Sequence, residues 1–249
     1  MDEDIKKQMH YLRLKWLQDN WDTVLGEAKQ KKSSYERLLT TVITQEYRQH
    51  KEKARLGRIQ RANIPEMLVM ETFPFEKQPR LDKKLLMGVY DSLEFVTKKQ
   101  QMVFVGPTGC GKTGLATAFL IHAINQGYRG YFIEFGRLMH LFYQSRADHT
   151  ERKLINRFCS YDVLLIDEIG YDPTEKEQAG LFFDLIKERN KKNTTIFTTQ
   201  LGFEEWDSFL HNEHLRAALI DRITGNCVVV NMDKCISIRQ KNIIHATKK

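Results

Sequence analysis

Apolar positions change their spacing about one third of the way along the chain. In roughly the first seventy residues they recur every three or four positions, as in Ile5, Met9 and Leu12, and this spacing predicts helices. Ser33 and Glu36 have the spacing of a capping box, so a long helix is predicted to begin there. The pattern therefore predicts an all-helical N-terminal part.

Prolines interrupt the helical pattern between residues 63 and 84. Because proline cannot continue a helix, this segment is predicted to link the helical part to a second domain. Phe73 and Phe75 have the spacing of a short extended segment, and we expect them to anchor the linker to the core. The predicted domains are 1–68 and 69–249.

Beyond about residue 85, short apolar runs alternate with helical segments. Strands alternating with helices indicate a parallel sheet covered by helices on both faces. The predicted fold class is therefore α/β, preceded by a small all-helical domain. The predicted strands are 102–105, 130–134, 162–167, 194–199 and 227–230. The predicted helices of this part are 83–98, 115–126, 136–146, 151–159, 175–190 and 213–223.

The stretch GPTGCGKT fits the pattern G-x-x-x-x-G-K-[ST] of a phosphate-binding loop, and it stands between a predicted strand and a predicted helix. Its glycines let backbone N–H groups surround phosphates, and the positive end of the following helix favours the same anion. We expect Lys112 to reach the β and γ phosphates of ATP and Thr113 to ligate Mg²⁺. The predicted nucleotide-binding residues of this loop are Gly106, Pro107, Thr108, Gly109, Cys110, Gly111, Lys112, Thr113 and Gly114.

Two carboxylates follow the apolar run of the predicted strand 162–167. Ligands bind at the carboxyl ends of parallel strands, which is where Asp167 and Glu168 fall. Asp167 suits a place in the Mg²⁺ coordination shell, and it also joins the predicted nucleotide-binding set. Glu168 points to the other side of the strand, so it is the candidate general base for an attacking water.

Composition narrows the classes of protein to which the chain can belong. No apolar run among its 249 residues approaches a membrane span, and the N-terminus lacks the apolar core of a signal peptide. The four cysteines form no CxxC pair, which indicates neither a zinc site nor a redox site and favours reduced thiols in the cytoplasm. The formal net charge is +7, and residues 1–100 contribute most of it, with 20 Lys and Arg against 15 Asp and Glu. This bias indicates a polyanionic partner.

The second half of the predicted long helix is rich in cations. Arg48, Lys51, Arg55 and Arg58 are spaced by three or four residues and share one helix face, and Arg61 follows them. Such a face either is simply solvated or binds nucleic acid. The residues alone leave both interpretations open.

Five motifs, in this order, resemble one family. GPTGCGKT, LLIDEIG, TTQLGFEEW, ALIDRI and SIRQK follow one another as in the IstB-like transposition helper ATPases of insertion sequences. These are AAA+ proteins of the initiator group, related to DnaC-type helicase loaders. The resemblance implies an AAA+ P-loop sheet with a reduced lid, a small helical N-terminal domain, and Mg²⁺-dependent hydrolysis of ATP.

The resemblance also implies roles for residues outside the two motifs. Gln200 matches the polar sensor of the γ-phosphate, and Arg239 falls where a second sensor arginine would lie. Arg222 matches the arginine that reaches a neighbouring subunit's site, although Arg216 is an alternative and Asp221 could hold Arg222 in a salt bridge. The two helices before strand 162–167 look like the initiator insertion that faces DNA. Its candidate DNA-binding cations are Arg146, Arg152 and Lys153.

These implications together predict an ATP-dependent regulator of transposition. It would assemble on duplex DNA as a homo-oligomer through ATP-bridged interfaces, recruit a transposase, and have no membrane partner. One alternative is a helicase loader that places a replicative helicase on DNA. Another is a metabolic P-loop kinase, for which we find no second substrate pocket in the sequence.

Overall fold

The computed structural model describes residues 1–171, 174–210 and 213–238, and it divides into two compact units. The first unit is Met1–Gly57 and the second begins at Arg58. The domain limits expected from the sequence, 1–68 and 69–249, stay a prediction. None of the described helices is long and apolar enough to cross a membrane.

The first unit contains α1 (Glu3–Tyr11), α2 (Lys15–Gln30) and most of α3 (Tyr35–Arg61), so its predicted helical character is confirmed. Glu46 of α3 is buried, and its carboxylate accepts the backbone N–H of Leu17 at 2.7 Å. Leu17 lies in the first turn of α2, where N–H groups have no partner inside the helix. A side chain of α3 therefore caps the start of α2, the preceding helix.

The predicted capping box of α3 is wrong by one residue. Ser34, rather than Ser33, accepts the N–H of Arg37 at 3.2 Å. Ser33 instead donates its own N–H to the carbonyl of Ala28 at 3.0 Å and so closes the end of α2. Because α3 begins at Tyr35, Ser34 is the residue at its N-cap.

The linker and the predicted helix 83–98 also differ from expectation. Phe73 is extended as expected, but Phe75 is not, because it begins the second of two 3₁₀ turns at Met70–Thr72 and Phe75–Lys77. The helix is divided into α4 (Lys83–Ser92) and α5 (Glu94–Thr97) by Leu93, whose φ is 51°. A left-handed residue cannot continue a right-handed helix, so the chain turns there.

The second unit is built on a five-stranded sheet in the order β2-β3-β4-β1-β5, with every neighbouring pair parallel. The α/β fold with a helix-flanked parallel sheet is confirmed. The order places β4 between β1 and β3, although it follows both in the chain. The strands are β1 (Gln101–Val105), β2 (Gly130–Glu134), β3 (Val163–Ile169), β4 (Thr194–Thr199) and β5 (Cys227–Asn231). The remaining α-helices are α6 (Lys112–Asn125), α7 (Phe135–Ala147), α8 (Glu151–Cys159), α9 (Lys176–Arg189), α10 (Asp207–Leu210) and α11 (Glu213–Thr224).

Apolar side chains are buried on both faces of the sheet, as the unbroken apolar strands predict. Along β1, Met102 and Phe104 pack into one core cluster and Val103 into the other. The first cluster includes Phe119 of α6, and the second includes Phe182 of α9. Helices on both sides therefore fix the strands, and with them the loops at the strand ends.

Arg189 is a buried cation in this core that the sequence pattern did not single out. It is 1% exposed, and burial lowers its pKa to about 10. Its guanidinium donates to the carbonyls of Phe158, Tyr161 and Thr194 and to the Thr195 hydroxyl. The side chain thus joins the end of α8 to the start of β4 and holds the edge of the sheet opposite the phosphate loop.

Candidate nucleotide-binding site

The carboxyl edge of the sheet opens into a cavity of about 440 Å³. Five segments line it: the phosphate loop after β1, the residues after β3, the residues after β4, the linker, and Ile238 from the segment after β5. Ligands bind at this edge of open parallel sheets, so the cavity is where a nucleotide is expected. The lining includes Glu66, Leu68, Val69, Thr72, Phe73, Pro74, Thr108, Gly109, Gly111 to Gly114, Glu168 to Tyr171, and Thr199 to Leu201.

The phosphate loop lies in close contact with the linker at Gly111. Gly111 has a φ of 101°, and a Cβ atom at this position would lie 2.6 Å from the Phe73 ring. Only glycine meets both conditions, since the backbone is left-handed and the space is filled. Phe73 packs against the core and also lines the cavity, so the expected anchoring role is confirmed.

Gln78 anchors the phosphate loop through hydrogen bonds of its side-chain amide. Its amide nitrogen donates to the carbonyls of Cys110 and Ile236 at 3.1 and 2.6 Å, and its amide oxygen accepts the N–H of Ile236 at 3.0 Å. The side chain is 1% exposed. A buried amide with these bonds ties the loop to the segment after β5, and the sequence pattern did not indicate this role.

Lys112 lies at the centre of the loop and is 8% exposed. Its ammonium donates to the carbonyls of Gly106 and Pro107 at 2.6 and 2.8 Å. A buried cation needs such oxygens. The loop therefore concentrates positive charge beside the N-terminus of α6, where an anionic phosphate is favoured.

The acid pair occupies a bulge in β3. Ile166 pairs with Phe197 and Ile169 pairs with Thr199, so β3 has one more residue than β4 over this stretch. Asp167 is 4% exposed, whereas Glu168 is exposed and has a φ of 59°. Bulges redirect side chains. Here the bulge turns Asp167 toward the phosphate loop and leaves Glu168 on the cavity wall.

Thr198 of β4 holds both members of the acid pair. Its hydroxyl donates to Asp167 Oδ1 at 2.5 Å and accepts the backbone N–H of Glu168 at 2.9 Å. The side chain is fully buried. The sequence analysis passed over Thr198, because only the strand order places β4 beside β3 at this point.

The Asp167 carboxylate also meets the phosphate loop. Thr113 donates its hydroxyl to Oδ1 and Oδ2 of Asp167 at 3.0 and 3.1 Å. Burial raises the pKa of Asp167 above its ordinary value, and the hydrogen bonds from Thr198 and Thr113 oppose that rise. Hydroxyl and carboxylate oxygens are the donors that Mg²⁺ prefers, so this pair fits the expected ion. In the described ranges, no group of three or more His, Cys, Asp and Glu could hold a metal.

Gln200 extends the same edge from β4. Its side-chain oxygen accepts the hydroxyl of Thr108, in the phosphate loop, at 2.7 Å. Both side chains are exposed and line the cavity. The structure thus brings the predicted sensor into contact with the loop.

Arg222 lies apart from the other predicted site residues. Its guanidinium lies 4.6 Å from the centre of the Phe183 ring and donates to the Ala218 carbonyl at 2.6 Å. No salt bridge with Asp221 is formed among the described residues. Arg216 donates to the Glu204 carbonyl and lies 3.9 Å from Glu213. Neither arginine is among the described residues that line the cavity, and Arg239 lies outside the described residues.

The candidate DNA-binding cations fall into two groups. On α3, Arg48 and Lys51 are exposed, and Arg55 forms two hydrogen bonds with Glu52. Arg58 donates to the carbonyl of Ile124, and Arg61 is exposed.

The second group, on α7 and α8, is engaged with α9. Arg146 lies 3.7 Å from Glu177, and Arg152 pairs with Glu188, while Lys153 is exposed. Two of its three cations are therefore partly neutralised.

A parallel sheet with a phosphate loop, a buried aspartate and an adjoining glutamate is the arrangement of a P-loop ATPase. Solved structures with a similar fold include DnaI, with a TM-score of 0.56 and 16% identity over 66% of this chain and 90% of that one. AMPPCP-bound DnaA from Aquifex aeolicus has a TM-score of 0.55 and 19% identity over 69% of this chain and 52% of that one. At these identities the likeness shows the fold alone.

The family model described as "IstB-like ATP binding protein" matches residues 7–246, so the chain belongs to that family. The Insertion sequence IS232 putative ATP-binding protein of Bacillus thuringiensis subsp. berliner is 29% identical over 92% of this chain and 92% of its own length. The IS21 counterpart of Pseudomonas aeruginosa is 28% identical over 89% and 83%, respectively. The recognition made from the motifs is confirmed, and the chain is an ATP-binding ATPase of the IstB type.

Proposed function

We propose that the protein is an ATP-dependent regulator of transposition that assembles on duplex DNA and recruits a transposase. The observation that carries the proposal is the position of Arg222. This arginine is held on Phe183, outside its own chain's cavity, while phosphate loop, acid pair and sensor converge inside. A site whose arginine must come from elsewhere is completed by a second subunit. The insertion-sequence relatives support transposition as the process.

Within one subunit, different residues would bind ATP and hydrolyse it. Lys112 and the N–H groups at the start of α6 bind the phosphates of ATP. Thr113 and Asp167 would hold Mg²⁺, which neutralises charge on the phosphates when bound. Glu168, on the cavity wall, would accept a proton from the attacking water, with its backbone fixed by Thr198. Gln200 would sense the γ-phosphate through the loop residue Thr108.

Arg222 of a neighbouring subunit would stabilise the charge that develops on the transferring phosphoryl group. Its planar guanidinium suits that role, because it offers several donors in a fixed geometry. Stacking on Phe183 pre-orders the side chain without neutralising it. ATP would therefore bridge adjacent subunits and favour an oligomer.

DNA binding is assigned first to the α3 cations and second to those on α7 and α8. Arg48, Lys51 and Arg61 are exposed, whereas Arg146 and Arg152 already lie beside carboxylates of α9. A cation that must first break its ion pair with a carboxylate contributes less net free energy when it binds a phosphate. Contacts of this type read the DNA backbone, so binding should depend only weakly on base sequence.

The test is complementation between two inactive variants. Arg222→Ala has an intact phosphate loop but no arginine, and Lys112→Ala has the arginine but a defective loop. Each alone should lose ATPase activity, the arginine variant by about 10³–10⁵-fold, and the mixture should regain part of it. Arg216→Ala is the matched control, since Arg216 lies on the same helix. Normal hydrolysis by Arg222→Ala, or an assembled but inactive mixture, would contradict the shared site and favour Arg216.

The DNA preference tests the rest of the proposal. Duplex DNA should stimulate hydrolysis more than single strands of the same length, and a transposase from the same insertion sequence should bind only the assembled complex. Stronger stimulation by single strands would instead support the helicase-loader alternative.

A further inference from the structure

Two contacts inside its own subunit hold the side chain of Arg222. The guanidinium lies over the ring of Phe183 on α9, 4.6 Å from its centre, and one guanidinium nitrogen donates to the Ala218 carbonyl at 2.6 Å. Within the described ranges no carboxylate pairs with this arginine. Phe183 and Arg222 are both half-buried. The cation is therefore held in place without being neutralised.

The two contacts differ in what it costs to give them up. Ala218 precedes Arg222 by four residues in α11, so its carbonyl also accepts the backbone N–H of Arg222 within the helix. That carbonyl keeps its helical partner when the guanidinium leaves. A guanidinium over a ring face, by contrast, keeps its N–H donors free for other acceptors. Phe183 can therefore hold the arginine while its hydrogen bond passes to a phosphate.

We propose that Phe183 is a positioning residue for ATP hydrolysis at the site of a second copy of this chain. Its ring keeps the Arg222 guanidinium in place while the donated hydrogen bond moves from the Ala218 carbonyl to the γ-phosphoryl group in the other copy. This inference rests on the proposed role of Arg222 in a shared site. Phe183 itself does not contact ATP. Its effect therefore belongs to the subunit that supplies the arginine, and not to the subunit that binds the nucleotide.

A half-buried ring on α9 also packs against the core, and this is the competing explanation for its presence. Phe183 lies at the border of the core cluster to which the preceding residue, Phe182, contributes a ring that is 0% exposed. Loss of packing would weaken every subunit that carries the change. Loss of positioning would slow only the reaction that uses the arginine of the changed subunit. The two explanations therefore predict different results when the subunits in an assembly are not identical.

The first experiment measures kcat and ATP affinity of single variants on duplex DNA. Phe183→Leu keeps an apolar side chain but removes the ring face, so kcat should fall about 3–30-fold with unchanged ATP affinity. Phe183→Tyr keeps the ring and should stay within about twofold of the parent. Leu181→Ala is the matched control, because Leu181 is half-buried on the same helix and packs against the same cluster. It should lower the melting temperature but leave kcat per folded molecule unchanged. A normal kcat for Phe183→Leu, or equal losses for the Leu and Tyr variants, overturns the proposal.

The second experiment places the change on one side of the shared site. In a mixture of Arg222→Ala and Lys112→Ala chains, the first supplies the working phosphate loop and the second supplies the arginine. Phe183→Leu added to the Lys112→Ala chain should reduce the recovered activity by the same factor as in the single variant. Added to the Arg222→Ala chain, it should leave the recovered activity unchanged. Sedimentation should show that all mixtures assemble equally. Equal reductions on the two sides overturn positioning and favour the packing explanation.

Failure of this inference can be told apart from failure of the shared site. If Arg222→Ala alone hydrolyses ATP normally, the shared site is wrong and the role of Phe183 is wrong with it. If Arg222→Ala is inactive and the mixture recovers activity that does not depend on which chain carries Phe183→Leu, the shared site stands and only the positioning role is overturned.

Discussion

The phosphate-loop edge of the sheet and the basic half of α3 both concentrate charge, but they hold it in different ways. At the sheet edge, Lys112 and Asp167 are 8% and 4% exposed, and each has hydrogen-bond partners in fixed positions. On α3, Arg48 and Lys51 are exposed, and Arg55 pairs with Glu52 one turn away. The fixed partners at the sheet edge therefore select a ligand by its shape, whereas the exposed cations of α3 select little more than the sign of its charge.

Desolvation explains the difference in what each region can do. A buried charge must be matched by oriented donors and acceptors, so its surroundings are pre-organised for a ligand of one shape. Exposed cations remain hydrated and screened, so they attract any polyanion and discriminate poorly. Removal of a buried charge at the sheet edge should therefore have a large effect, whereas changes on α3 should act gradually and depend on salt.

The largest effect is expected from Lys112→Ala. It removes the cation of the loop, so tight binding of ATP should be lost. Binding of a fluorescent ATP analogue would measure the change. Lys98→Ala removes an exposed lysine paired with Glu94 and should leave binding unchanged. Equal binding by the Lys112 variant and the parent would remove this lysine from the site.

Glu168→Gln should separate binding from turnover. The side chain keeps its size but cannot accept a proton from water, so hydrolysis should fall about 10²–10⁴-fold while ATP remains bound. Single-turnover hydrolysis and nucleotide binding, measured together, distinguish the two. Glu134→Gln is the matched control, because Glu134 is an exposed carboxylate at the end of β2, in register with Asp167. Should the control lose turnover as well, the general-base assignment fails.

A smaller and salt-dependent effect is expected on α3. The variant is the simultaneous change of Arg48, Lys51, Arg55 and Arg58 to Gln. Each lost phosphate contact should reduce the slope of log affinity against log salt by about 0.9. DNA sequences that bind weakly and those that bind strongly should lose affinity by the same factor. Fewer than four contacts are expected to disappear, since Arg55 and Arg58 have partners within the protein.

Titration of labelled duplex at several salt concentrations would measure the slope. The matched control replaces Arg146, Arg152 and Lys153 with Gln, and it should change the slope less because two of these cations lie beside carboxylates. If only the control variant flattens the slope, the DNA surface lies on α7 and α8 instead.

How much the sequence could predict depends on how local each feature is. The phosphate loop and the acid pair are runs of neighbouring residues, so their motifs can be recognised in the sequence alone. The fold class followed from alternating apolar patterns. The strand order did not, because β4 inserts between β1 and β3 through contacts distant in sequence.

The residues that the sequence analysis missed are those whose role depends on such distant contacts. Gln78 is recognisable only once the linker, the loop and the segment after β5 are brought together. Arg189 was not indicated by any motif or pattern, because most of its partners are backbone carbonyls, which any residue supplies. The capping serine was misplaced by one residue because two serines stand side by side, and the sequence does not show which of them directly precedes the helix.

Thr198 of β4 contacts the acid pair only because the strand order places β4 beside β3. Of the changes to these two regions, replacement of Thr198 should have the smallest effect. Thr198→Val keeps the shape but removes the hydroxyl that joins Asp167 to the Glu168 backbone. A hydrogen bond to a charged group contributes about 1.5–3 kcal/mol, so turnover should fall by roughly one to two powers of ten. ATP affinity should change little, because Lys112 and the loop are untouched.

Two further variants separate positioning from simple loss of stability. Thr198→Ser restores the hydroxyl and should recover most of the turnover. Thr194→Val removes the buried hydroxyl at the other end of β4, which donates to the Phe95 carbonyl. It should lower the melting temperature by as much as Thr198→Val while leaving turnover per folded molecule unchanged. An equal fall in turnover for both valine variants would mean that β4 supports the site only as a strand, whereas a fall confined to Thr198→Val would show that the order of the strands sets the geometry of the acid pair.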